Sequence, residues 1–287
     1  MLVKERMVMK KPQVSIAKGD NAKQLTMQVL RDIQASKVVA PSDKILLKPN
    51  YVTAAHPSTG VTTSSEVMEA IIQFLKDHGL LDITIGEGGV PGSTERAFDV
   101  VGIREIAKRH QLKLVNLNKD NMVKVKIPNA MALKEVHIAR TVLDATCLIS
   151  VPKLKVHHMA YITCGMKNMM GAIWPKSIMH GKIHQKIVDL TSILTPRLTV
   201  VDGLIGSEKN ETSGNPVKMD LIIAGTDMVA VDAVCASVMG IDPKDIQYLQ
   251  LATTHGLGTA DLNAITILGE QIPNVRHVFE LPKELRI

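Results

Sequence analysis

The sequence predicts an α/β protein with mainly parallel sheets, helices on both faces, and two lobes with a cleft between them. Three observations carry this expectation. Apolar stretches of strand length alternate with amphipathic stretches of helix length along the whole chain. Several strands, such as KILLK (44–48) and TCLISVPKL (146–154), read as nearly continuous apolar runs, the pattern of strands covered on both sides. The composition, 45% hydrophobic and 22% charged over 287 residues, supports a large core, and with 2% aromatics and 15 methionines that core is aliphatic, its gaps filled by thioethers.

Taken in order, QVSIA (13–17) alternates like a strand, and AKQLTMQVLRDI (22–33) has helical period behind an Asn21 cap. KILLK stops at Pro49, and the polar segment that follows makes Lys48, Asn50 and Thr62 candidates, because ligands gather at strand C-terminal ends in open α/β sheets. Ser64 or Ser65 caps the helix EVMEAIIQFLKDHG, which Gly79 ends. DITIGEGGVPGST (82–94) is a strand running into a glycine-rich loop and a helix, a setting for anion binding, with Glu87 either a metal ligand or base there or a solvated turn residue. The spacing is neither GxGxxG nor GxxxxGK[ST], which excludes a nucleotide motif. IREIAKRH is a helix and KLVNL a strand, and VKVKI with EVHIA makes an antiparallel excursion. After TCLISVPKL come the helix KIVDLTSIL, the strand RLTVVDG ending at Asp202, and GLIGSEKNETSGNP, expected as a loop. The strand MDLIIAG, a helix started by Asp227, the helix DIQYLQLATTHG and the strand AITILG complete the chain. A boundary near Asp144 divides it into lobes of residues 1–143 and 144–287, with a single continuous sheet as the alternative.

The stretch from Val151 to Lys186 stands apart. No acidic residue lies between Asp144 and Asp189, whereas six lysines and four histidines fall within it. With 28 acids in 287 residues, composition alone produces such a gap about one time in a hundred. Either a lysine-studded solvated face or a site for an anion, alone or metal-bound, accounts for it. On the second reading His157, Lys167, Glu87 and Asp202 are the expected catalytic residues, His157 moving a proton near neutral pH. Lys48, Asn50, Lys153, Lys155 and Asn168 are the expected ligand-binding residues. His180 and His184 are the expected metal ligands, on one helix face unless Gly181 breaks it.

Three dispersed cysteines without CxxC exclude a recognisable iron–sulfur or zinc-ribbon framework and point to a reducing, cytoplasmic compartment. Cys164, beside Gly165 and lysines, is the thiol expected to react first. The N-terminal residues show no signal peptide, no apolar run suits a membrane span, and Met7 or Met9 offers an alternative start. Nucleic acid is disfavoured, because the basic stretch has no arginine and only Tyr161 and Trp174 for stacking.

The motifs KPNYV, IGEGG, VPKLKVHH, CGMKNMMGAIW, VDGLIGSE with GNPV, and AGTDMVAVDAVCASVMGIDP together resemble the domain-of-unknown-function-362 family from about Lys44 to Gly269. Many of its members carry paired ferredoxin-like cysteine clusters, which this chain lacks. A second resemblance is to the nickel-pincer lactate racemase family. There a histidine precedes, by ten residues and a glycine turn, a lysine that carries a pyridinium-derived cofactor, and a later histidine binds nickel. His157, Gly165, Lys167 and His180 or His184 fall at similar spacings, while GEGG replaces that family's histidine-bearing loop. The expectation is thus an enzyme binding a small anionic or carboxylated molecule, with or without a divalent metal, in an interlobe cleft. The alternatives are a non-catalytic cofactor- or metal-binding accessory protein and a racemase- or epimerase-like enzyme.

Overall fold

Parallel strands buried on both faces require helices above and below the sheet, and the chain supplies both. The structure, a computed structural model, describes residues 11–213 and 215–286; the alternative starts at Met7 and Met9 lie outside the described residues. The first half comprises β1 (Gln13–Lys18), α1 (Ala22–Asp32), β2 (Ile45–Pro49), α2 (Ser65–Asp77), β3 (Ile83–Glu87), α3 (Thr94–Val101), α4 (Ile103–His110), β4 (Lys113–Asn116), β5 (Met122–Lys126), β6 (Glu135–Ala139) and α5 (Arg140–Asp144). The second comprises β7 (Cys147–Val151), β8 (Lys153–His157), β9 (Tyr161–Thr163), α6 (Gly165–Asn168), β10 (Ile173–Trp174), α7 (Ile183–Ile193), β11 (Leu198–Glu208), β12 (Asn215–Gly225), α8 (Met228–Val238), α9 (Gln247–Thr254), β13 (Thr266–Gly269) and α10 (Ile272–Val275).

One ten-stranded sheet runs β13-β1-β12-β11-β7-β2-β3-β4, with β8 added on β11 and β9 on β8. From β11 to β4 the pairings are parallel, and β12 is antiparallel to both β11 and β1. Strand alternation sorts the core onto two faces. Ile45, Leu47, Ile85 and Ile149 pack with Val29, Ile71, Phe98 and Ile106 of α1 to α4. Leu46, Leu148 and Ile223 pack on the other side with Ile187, Val234 and Leu249 of α7 to α9. The antiparallel excursion is the three-stranded sheet β10-β6-β5. The Asn21, Ser64 and Asp227 caps form as read, each side chain accepting from the first turn of its helix.

One feature differs from the sequence reading, and a second bears on the alternative it left open. Residues 203–208 are strand: β11 continues past Asp202 through a register shift and pairs with β12 as a twisted ribbon. Their glycine and polar content reflects a half-exposed ribbon in which Gly206 makes room for the Phe279 ring. Strands from both sides of the boundary drawn between residues 143 and 144 also share one sheet, since β2 pairs directly with β7 and β1 lies between β12 and β13. No helix among the described residues is long and apolar enough to cross a membrane.

Candidate functional site

The C-terminal ends of the parallel strands converge on a cavity of about 260 Å³. Asn50 enters it from the end of β2, and Glu87 with Gly88 and Gly89 from the end of β3. β8 supplies Lys155 and His157, β9 supplies Thr163, and α6 supplies Lys167 and Asn168. Glu211 and Thr212 close it from the turn between β11 and β12. The acid-free stretch is answered by acids from elsewhere in the chain: Glu87, Asp202, Glu211 and Asp232 all reach it.

The floor is a saturated network. Lys48 Nζ donates to Glu87 Oε2 at 2.8 Å, to Pro49 O at 3.0 Å and to Asn168 Oδ1 at 3.1 Å. Asn168 Oδ1 also accepts from Asn50 Nδ2, and its own Nδ2 donates to Lys48 O and Ser150 Oγ. Burial pulls the Lys48 ammonium below the ordinary lysine range and Glu87 opposes this. Gly171 passes so close that an added Cβ would strike both Glu87 Oε1 and Lys48 Nζ, which explains a glycine in CGMKNMMGAIW. Asn50 Oδ1 and Thr163 Oγ1, on two residues that line the cavity, are themselves sealed from solvent and lack a hydrogen-bond partner among the described residues.

The walls are basic. Lys155 is 1% exposed; its Nζ donates to Val61 O at 2.8 Å and Glu211 O at 3.0 Å, and burial and then the neighbouring Lys167 charge push it down to about 7. Burial likewise lowers Lys167 and Lys176 to about 8. Lys176 Nζ reaches Ile173 O at 3.1 Å, whereas Lys167 Nζ has no hydrogen bond or ion pair among the described residues. Lys167 is held by α6, whose first two amides, Gly165 N and Met166 N, donate to the buried Asp232 carboxylate at 2.6 and 3.1 Å.

His157 Nδ1 accepts from Met159 N at 3.1 Å and Ala160 N at 3.3 Å, which assigns the ring proton to Nε2. Burial first, then the charge of Lys167, hold its pKa far below the ordinary histidine range. The ring is therefore a fixed neutral N–H donor, and the proton-shuttle role expected for it does not fit this arrangement. His157, His158 and Glu211 bring ligand atoms within 4.8 Å of one another, the one such group among the described residues. His157 Nε2 offers a metal no lone pair until it gives up that proton, and His158 Nδ1 would have to exchange its 2.6 Å contact with Glu211 Oε1 for the metal. The expected His180–His184 pair does not form. Gly181 and Lys182 both have positive φ, α7 begins only at Ile183, and His184 stacks on Tyr248 while His180 lines the cavity rim.

Asn50, Glu87, Lys155, His157, Lys167, Asn168 and His180 thus line one space, and Lys48 lies directly beneath it. Lys153 and Asp202 do not line it: Lys153 Nζ pairs with Asp202 Oδ2 at 2.8 Å, 1% and 0% exposed, and that oxygen also accepts from Ser64 N. They lie in register on adjacent strands, so each satisfies the other. Cys164, expected to react first, is wholly buried with its pKa raised by burial, and Cys147 and Cys235 are buried too. Thr163 and Glu211 carry no sequence signal of a site: one ends a three-residue strand, the other sits in a polar turn. Lys176 and His158 were visible only as members of the basic stretch.

A family model described as Domain of unknown function (DUF362) matches residues 45–237. A thylakoid-associated protein of Synechocystis sp. is 24% identical over 229 residues, which cover 76% of this chain and 70% of the relative. Among solved structures, the lactate racemase apoprotein from Thermoanaerobacterium thermosaccharolyticum aligns with a TM-score of 0.49 at 11% identity. That alignment covers 80% of this chain and 57% of the racemase, so the chain spans little more than half of its length.

Proposed function

The chain belongs to the Domain of unknown function (DUF362) family, and from that premise we propose that it is an enzyme acting on a small hydroxy- or oxo-carboxylate. One observation carries this reading. Lys167 lines the cavity beside Lys155, Lys176 and the His157 ring, and among the described residues no carboxylate lies within ion-pair distance of its ammonium, so the space suits an anion. Lys167, Lys155 and the His157 Nε2–H take the carboxylate. Lys155, at about 7, exchanges a proton near neutral pH, the task the sequence reading gave to His157.

The test is titration calorimetry with short hydroxy- and oxo-carboxylates on the intact chain and on Lys167→Met. Removing a charge with no protein partner leaves the melting temperature unchanged or raised and weakens binding at least ten-fold. Unchanged affinity in Lys167→Met, or no binding by the intact chain, overturns the reading.

A further inference from the structure

Four amines reach this cavity or its floor, and three are committed. Lys48 is tied to Glu87, Pro49 and Asn168, Lys155 to two backbone carbonyls, and Lys176 to a third. Lys167 alone has no protein partner among the described residues, and its backbone is fixed by Asp232 at the start of α6. An uncommitted primary amine on the wall of a cavity is what addition to a carbonyl carbon requires.

We propose that Lys167 captures a small oxo-carboxylate as an imine inside the cavity. This rests on the reading of the cavity as a carboxylate site and names the substrate class. Lys155 and the His157 N–H hold the carboxylate while Lys167 Nζ attacks the adjacent carbonyl carbon. The C–N bond forms as the carbonyl π pair moves to oxygen, and that oxygen takes a proton lost by nitrogen, giving a carbinolamine. The C–O bond then breaks and the oxygen leaves as water with a second proton from nitrogen. One amine and one carbonyl give one imine and one water, without oxidant or cofactor. With Lys167 at about 8, roughly a tenth of it is free amine at pH 7. A cavity of about 260 Å³ is many times the ~10–15 Å³ that one water requires, room for a short oxo acid.

The experiment incubates the full chain with pyruvate or glyoxylate and sodium cyanoborohydride, then maps the reduced adduct by peptide mass spectrometry. The expected result is one dominant adduct at Lys167, at least ten-fold above any other lysine and suppressed by excess propionate. Lys167→Arg keeps a cation, so it binds propionate yet forms no such adduct. An adduct spread over exposed lysines overturns the proposal. So does the absence of adduct while calorimetry shows propionate bound, an outcome that leaves the carboxylate site standing. Failure of both propionate binding and trapping removes the two together.

Discussion

Lys153 and Lys167 are fourteen positions apart in one basic stretch, yet they answer opposite substitutions. Lys153 has its counter-charge within the protein, so Asp202→Asn leaves a buried ammonium without one and costs about 3–5 kcal/mol of stability, read as a lower denaturant midpoint. Because neither residue lines the cavity, carboxylate affinity of the folded variant stays within two-fold of wild type; a large loss of affinity with unaltered stability would restore Asp202 to the site. That both lysines matter is legible in the sequence, since the absence of acids marks the whole stretch. Which one is satisfied internally is not legible. The answer lies in the register of β8 against β11, which no local pattern encodes.

At the scale of elements, α6 is four residues long and cannot hold itself together. Its first two amides rest on Asp232, which comes from the middle of α8. Asp232→Asn offers one acceptor oxygen in place of two, so a buried N–H is stranded at about 1–3 kcal/mol. Carboxylate binding weakens as well, because Lys167 loses its anchor; thermal melts with calorimetry check both, and intact affinity would show that α6 is held by packing alone. The sequence reading recovers the helices with clear caps and the strands with buried runs, where local chemistry and tertiary placement agree. It fails at the β11–β12 ribbon, where polar, glycine-rich strands look like a loop. It leaves His180 and His184 undecided because a glycine between them permits either outcome, and only the observed positive φ at Gly181 and Lys182 separates them.

The whole molecule gathers several depressed lysines at one sheet edge, and this sets how it responds to pH. Lys155 at about 7 and Lys167 and Lys176 at about 8 all titrate near 10.5 in the unfolded chain. Between pH 7 and 9 the unfolded state therefore binds more protons, and stability rises with pH. Asp232, raised to about 7, acts below this window, and Cys147, raised to about 11, acts above it. Carboxylate affinity runs the other way, falling over the same interval as the cavity loses positive charge. Chemical denaturation and calorimetry at pH 7, 8 and 9 check the opposed trends, and a flat stability profile would contradict buried lysines. The α/β class was legible because strand and helix periods alternate throughout. The place of β1 was not, since a strand's own residues do not name a partner near the far end of the chain. That placement also governs the order of synthesis and assembly. The first described strand to leave the ribosome must wait for β12 and β13, nearly the last, before its slot exists. The middle strands and their helices can associate meanwhile, whereas the β12-β1-β13 seam cannot close until both late strands are made.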